Sequence, residues 1–386
     1  MAFNFLRSFC KLMEQTEVPQ RFQVWCGVAA LLSVMERRIW ITQGIYSIYP
    51  NFFIVLVAAS GQKKSTPINV VDKLLRQVKG GPNVVAQKVS TEALISSIKR
   101  REVSDSTRLL KETCGGIVIA DELATFLDRS SLDRGLGPML TKLYDCSPFE
   151  YETIKRGTET VEGGYLSLLG GTTIELLRNS LPKDAIGGGF TSRTIFIYED
   201  RRAPPVPWVT FDESHLTIEG QLVEHLNRLV KYDGPVEVSP RAVEFFKYDY
   251  NTRYNDSTLR LNGALQNYEN RRHTHLFKVA MAIMLAEEPS LRLDVHHIAA
   301  AKTLLEEAET QMPKVMTLLV ASEVGTMAQT VYAYIKSHEI ILRADIMRHF
   351  SHQLDSHDMS KIMSTLTESG RVKTTVLDGK LAYAAL

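Results

Sequence analysis

The stretch VLVAASGQKKSTPI, residues 55–68, decides how this chain is read. An apolar run stops at a glycine, and a basic pair and a hydroxyl pair follow. Set against the phosphate-cradling pattern GxxxxGK[ST], Ala58 and Lys63 stand where the first and last glycines belong. Gly61 survives in the middle, Lys64 is placed to reach terminal phosphates, and the Ser65 hydroxyl can ligate Mg²⁺. The donors such a loop needs are backbone N–H groups and a helix N-terminus, which Ala and Lys supply as well as Gly. Losing the glycine at 63 has a conformational cost: a positive φ there strains a lysine by about 1–3 kcal/mol unless the loop takes another route. Ser60, Gly61, Gln62, Lys63, Lys64, Ser65 and Thr66 are the candidate nucleotide contacts, with Lys63 a possible second phosphate charge. Pro67 fits the first turn of a helix, where its missing N–H is not needed.

KKST alone is common in surface turns, so its neighbours matter. FFIVLV before the loop reads as a buried strand, and INVVDKLLRQV after it as an amphipathic helix. Further on, GGIVIADE (115–122) closes four apolar residues on an acidic pair. In that position Asp121 would hold the Mg²⁺ shell and Glu122 would polarise an attacking water. YLSLLGGTT (165–173) ends another strand on Thr172 and Thr173, where Thr172 could sense a γ-phosphate or orient water; a turn-forming pair is the plainer alternative. AIGGGFTSRTIFIYE (185–199) places Arg193 at the start of a further strand, either paired within its own subunit or reaching a neighbour's phosphate. Arg178 is a second candidate for that role. The implied cofactors are ATP and Mg²⁺.

Outward from this core, NFFIVLVA, VVAQKV, GGIVIAD, YLSLLG and RTIFIYE alternate with amphipathic helices, which predicts an α/β fold with a mainly parallel, covered sheet. The expected organisation is an N-terminal helical region (1–45), an ATPase core (46–205), a helical lid (206–322) entered through the proline-rich RRAPPVPWV, and a C-terminal module (323–386). In that module three short helices precede RVKTTVLDGKLAYAAL, whose Asp378-Gly379 marks a hairpin turn, the outline of a winged helix-turn-helix. The 386 residues carry 45 basic and 44 acidic side chains, so any polyanion contact must come from local patches. Cys10, Cys26, Cys114 and Cys146 are scattered without a CxxC, which fits a reducing cytoplasm better than a disulfide framework. No signal-peptide layout opens the chain, and no apolar run nears the roughly 20 residues of a membrane span. The pairs His296/His297 and His349/His352 lack a carboxylate or Cys at ligand spacing and read as exposed helix residues.

The order of YPNFFIVLVAASGQKKST, IVIADE, LSLLGGTT and GGFTSR resembles a family of helicase-like P-loop ATPases encoded by phages and mobile elements, over roughly residues 20–310. More distantly it is similar to the AAA+ core of the minichromosome-maintenance helicases. That resemblance implies a Ser-Arg pair, here Ser192 and Arg193, supplying an arginine finger to the adjacent subunit, although Thr194-Ile195 departs from the usual Phe-Asp. It also implies a lid sensor, with Arg271 and Lys278 at the family's separation and Lys in place of the second Arg. A solvated end of a core helix is the other reading of that pair.

Between Asp121-Glu122 and the third strand lies SPFEYETIKRGTETVEGGYL, read as a β-hairpin with a basic tip. In ring helicases of the resembled kind such a hairpin grips the backbone in the channel, and Lys155 and Arg156 would then make sequence-blind phosphate contacts. The function expected is an ATP-hydrolysing, ring-forming motor on DNA, expected to be single-stranded, and hexameric by resemblance, working with replication partners in a phage or mobile element. The alternative is a nucleotide-dependent loader or assembly factor that turns ATP over slowly; a small-molecule kinase is a third reading that the acidic pair and the C-terminal module do not favour.

Overall fold

The computed structural model describes residues 3–88, 90–99, 114–127, 132–153, 157–182, 185–287, 290–320, 323–352 and 354–386. The chain forms two compact units, residues 1–316 and 317–386.

In the first unit, helices α1 (Phe5–Leu12) and α2 (Gln20–Met35) lead into strands β1 (Ile39–Gln43), β2 (Tyr46–Ile48) and β3 (Phe53–Val57). Then come α3 (Ser65–Gln77), β4 (Val84–Val85), α4 (Thr91–Lys99), β5 (Gly115–Ala120) and α5 (Gly137–Tyr144). β6 (Phe149–Thr153) and β7 (Gly157–Val161) pair antiparallel before β8 (Tyr165–Thr172), α6 (Ile174–Ser180) and β9 (Thr194–Tyr198). Four longer helices follow: α7 (Glu213–Leu229), α8 (Pro240–Asn255), α9 (Gln266–Ala286) and α10 (Val295–Glu309).

The main sheet has five strands in the order β4-β5-β8-β3-β9, all parallel. Its strands are the five apolar segments of the sequence, though VVAQKV contributes only Val84–Val85. FIVLV in β3 and YLSLLGGT in β8 are buried at every position, as strands covered on both faces must be. α2 is apolar on nearly its whole circumference and packs against α1, α3 and α9; its Ser33 hydroxyl is satisfied by the Ala29 carbonyl at 2.6 Å.

The N-terminal region is not wholly helical. IWITQ leaves α2 through a positive φ at Glu36 and forms β1, antiparallel to β2 and parallel to Gly234–Pro235. Alternating β-branched residues there favour a pleated strand over a further helical turn.

The second unit has helices Glu323–Lys336, Arg343–His349 and Ser356–Glu368 and a three-stranded antiparallel sheet of Ile341–Leu342, Lys380–Ala385 and Val372–Leu377. Val331, Ile335, Ile346, Met359, Ile362 and Val372 form its core. Asp378 and Gly379 both have positive φ and join the last two strands, Leu377 facing Lys380, as the hairpin signal predicts. Among the described residues, no helix is long and apolar enough to cross a membrane.

Candidate functional site

Parallel strands deliver their following loops to one edge of a sheet, and crevices at the carboxyl ends are where such sheets bind ligands. β8 lies between β5 and β3, so the segments after Val57, Ala120 and Thr172 emerge side by side, with Ala120 opposite Gly170 and Val57 opposite Thr172.

The loop after β3 is hydrogen-bonded to its neighbour through Ala58 N–H to the Thr172 carbonyl at 3.3 Å. It turns through Gly61 (φ 81°) and Lys63 (φ 54°) before α3 begins at Ser65. Lys63 therefore occupies the left-handed region that the sequence marks as strained for a residue bearing a Cβ. Ser60, Gly61, Lys63 and Ser65 are exposed, Gln62 and Thr66 partly so, and the first N–H groups of α3 lack helical partners. Gln62 Nε2 donates to the Asp200 carbonyl at 3.4 Å, and Lys63 lies 3.9 Å from the Glu17 carboxylate.

Lys64 is buried, and its ammonium donates to the carbonyls of Ala58 and Ala59, each at 2.9 Å. Burial lowers its pKa from the usual lysine value, and the charges of Glu122 and Glu175 partly oppose that. The ammonium is thus folded over the loop it springs from, within the field of Glu122 and Glu175.

Thr172 joins that pair directly: its hydroxyl donates to Glu122 Oε1 at 3.1 Å, and Glu122 also caps the short turn at Ala124 N–H, 3.4 Å away. Among the described residues no donor reaches Oε2, which is left to a water or substrate. Gly171 is what allows this convergence. A Cβ there would stand 3.0 Å from the Asp121 carbonyl oxygen, 3.0 Å from Ile68 Cδ1 and 3.4 Å from Lys64 Cβ, so a side chain would push the loop off the acidic strand. The neighbouring hard oxygen donors, the Ser65 hydroxyl and Asp121 carboxylate, suit Mg²⁺ in kind.

Arg193, Arg271 and Lys278 lie elsewhere. Thr194 opens β9 opposite Phe53, the first residue of β3, whereas the Lys64 loop follows Val57 at the other end. At about 3.3 Å per residue, Arg193 is separated from its own chain's loop by roughly 15 Å of strand. There it donates to both carboxylate oxygens of Asp145, Nε to Oδ1 at 3.1 Å, and to the Gly189 carbonyl at 2.9 Å. Its side chain is 5% exposed. Arg271, more open, reaches the same carboxylate at 3.3 Å.

Lys278 is fully enclosed beside this pair. Its ammonium donates to Asn51, to the backbone carbonyl at 2.5 Å and Oδ1 at 2.9 Å, and sits 4.1 Å from the Tyr144 ring centroid. Burial pushes its pKa down to about 7, with Cys146 and Asp145 acting in the other direction. His275, pushed down to about 3 mainly by burial, is neutral. Its Nε2 lies 3.2 Å from the Ser192 carbonyl, which can only accept; Nε2 therefore carries the proton and Nδ1 accepts from the Tyr144 hydroxyl. The Arg271/Lys278 pair thus belongs to a cluster around Asp145, Tyr144 and Asn51. None of those three partners was marked by local sequence pattern, since they pair with residues far along the chain.

Lys155 and Arg156, expected from the sequence as a basic hairpin tip, lie outside the described residues. His296 and His297 do have a carboxylate nearby, Glu287, at 3.3 and 3.6 Å. The bonding argues against a metal there: His297 Nδ1 accepts the Asp294 N–H at 3.0 Å, so its Nε2, 3.6 Å from Glu287, bears the proton. A metal at Nε2 would need both ring nitrogens unprotonated. No family model matches this chain, and no curated protein is significantly similar to it.

Proposed function

We propose that this protein is an ATP-hydrolysing P-loop motor of the AAA+ kind that forms rings and acts on DNA, as in the helicase-like ATPases of phages and mobile elements. The observation that carries this reading is the Thr172–Glu122 hydrogen bond at the mouth of the sheet, beside the folded-back Lys64. A lysine, a hydroxyl-led helix, an acidic pair and a threonine from three adjacent strands are the groups that a triphosphate and a hydrolytic water require.

In this reading the amides of residues 60–66 and the N-terminus of α3 cradle the phosphates. Lys64 leaves the Ala58 and Ala59 carbonyls for phosphate oxygens, and Glu122 Oε2 takes a proton from water while Thr172 fixes the carboxylate through Oε1. Mg²⁺, held by Ser65 and Asp121, would neutralise phosphate charge. Arg193, far from its own loop and bidentate to Asp145, acts in this reading as a brace within its own subunit, the alternative the sequence left open. The second unit, with three helices and a hairpin-closed sheet, supports a winged-helix reading and contact with nucleic acid or a replication partner.

A slower loader or assembly factor is favoured by one feature: left-handed Lys63 and retracted Lys64 make the loop costly to reorganise. Calorimetry with Mg²⁺-ATP tests the shared premise, since no heat of binding sinks both. Turnover with and without single-stranded DNA, alongside mass with and without ATP, separates them: the motor requires ATP-dependent assembly and stimulation by DNA.

A further inference from the structure

A second cleft, of about 120 Å³, opens between α8 and α9 and is lined by none of Lys64, Ser65, Asp121, Glu122 and Thr172. Its volume is that of about four water molecules in the liquid, enough for one planar ring and too little for a nucleotide. One wall is aromatic. Tyr250 and Tyr254, one helical turn apart on α8, have rings 6.4 Å apart and within 11° of parallel, and both are exposed, Tyr254 at 64%. Arg260 sits 5.7 Å from the Tyr254 ring centroid, and His273 meets Tyr250 edge-on at 6.2 Å.

The floor is ionic and nearly neutral. Arg253 is bidentate to Glu269, at 2.6 and 2.8 Å. Lys302 holds Asp249 at 2.5 Å, and Arg272 Nε holds Glu309 at 2.8 Å. One donor is left over: Nη2 of Arg272, a residue only 4% exposed, lies 3.7 Å from Glu306 and within hydrogen-bond distance of no acceptor among the described residues. That nitrogen is buried on the Glu306 side, so the part of Arg272 that lines the cleft adds to its ionic floor and offers no open donor.

We propose that this cleft binds a nucleobase, stacked on the exposed Tyr250 and Tyr254 rings beside Arg260. Paired carboxylates on the floor disfavour a phosphate and leave the flat, uncharged face of a base as the matching chemistry. Stacking of this kind is indifferent to base identity, so the site would take one base of a single strand of any sequence. The inference stands apart from the loop site and does not depend on ATP.

The test is fluorescence anisotropy of a labelled oligothymidylate with the full chain in the absence of nucleotide, competed by free thymidine, by unlabelled oligonucleotide and by a duplex. Binding that duplex does not displace, and that Tyr250→Ala/Tyr254→Ala weakens roughly tenfold or more, is the expected result. Tyr250→Phe/Tyr254→Phe keeps the rings and should keep the affinity. Competition by thymidine identifies a free nucleoside as sufficient, and competition by oligonucleotide alone identifies a strand. An affinity unchanged by the double alanine variant, whose fold is checked by its thermal melt, overturns the proposal. Lys64→Ala serves as the separating control, losing ATP while retaining the oligonucleotide.

Discussion

The two edges of the parallel sheet are built from similar residues and put them to opposite uses. At the carboxyl edge Lys64, Glu122 and Thr172 stand in an open mouth, with Lys64 bonded only to the carbonyls of its own loop and Glu122 Oε2 free of donors among the described residues. At the amino edge Arg193, Lys278 and Asp145 are packed together with Tyr144 and Asn51, and each cation is held by two or more fixed acceptors outside its own loop. A cation with replaceable partners is poised for a ligand, whereas one with bidentate buried partners holds structure. Charge type alone therefore does not tell a site from a brace. Partner replaceability does.

The sharpest way to break the contrast is Lys64→Ala. If the open edge is the nucleotide site, this variant loses Mg²⁺-ATP affinity on the order of 100-fold by calorimetry, with a loss of stability of about 1–2 kcal/mol from the Ala58 and Ala59 carbonyls left without their donor. Equal ATP binding by wild type and variant would remove the basis for treating the two edges differently.

Next comes the brace. Arg193→Ala strips Asp145 of its bidentate partner and is expected to destabilise the first unit by about 2 kcal/mol in denaturant unfolding, less than a fully buried pair because Asp145 remains about one-third exposed. Arg271→Ala, removing the outer contact to the same carboxylate, should cost about 0.5 kcal/mol or less. Equal effects would mean that the pair is not closed in solution.

Lys278 sharpens the comparison through pH. Its folded pKa is about 7 against an ordinary 10.5, so between those values the unfolded chain binds a proton that the folded chain does not. Stability contributed by this residue therefore rises with pH across that window, by about 1.4 kcal/mol per unit at most, and is level below about 7, where both states are protonated. Lys278→Met should lose this slope relative to wild type, whatever constant change follows from leaving the Asn51 oxygens without their donor. Parallel curves for the two proteins would mean that the ammonium is solvated.

The open edge was far more legible in the sequence than the closed one, for a physical reason. Strands of a covered parallel sheet must be apolar at successive positions, so β3, β5, β8 and β9 appear as unbroken runs, and their loops are the residues immediately following. Position 63 could be recognised as strained because motif register, a local property, sets its φ. Asp145 holds Arg193 and Arg271 across 48 and 126 positions, and no period or spacing records such a pairing. The same blindness hid Glu287 beside His297, and hid that the His297 ring was already committed to its helix cap. β1 was missed because it follows α2 without a Gly or Pro to mark the break.

The smallest expected effect lies in the open edge itself. Lys63→Gly relieves a left-handed backbone that disfavours a Cβ by about 1–2 kcal/mol, but it also adds freedom to the unfolded chain worth about 0.5–1 kcal/mol. The net gain in stability should be about 1 kcal/mol or less. Its effect on turnover is more telling, because the two functional readings differ on whether the substituted loop limits the rate. If the strain at 63 slows reorganisation around the phosphates, Lys63→Gly raises single-turnover hydrolysis while leaving the Thr172–Glu122 contact intact. A gain in stability with no gain in rate would instead assign residue 63 to loop architecture, and a loss of ATP affinity would show that its ammonium, near Glu17 without nucleotide, turns to the phosphates when one binds.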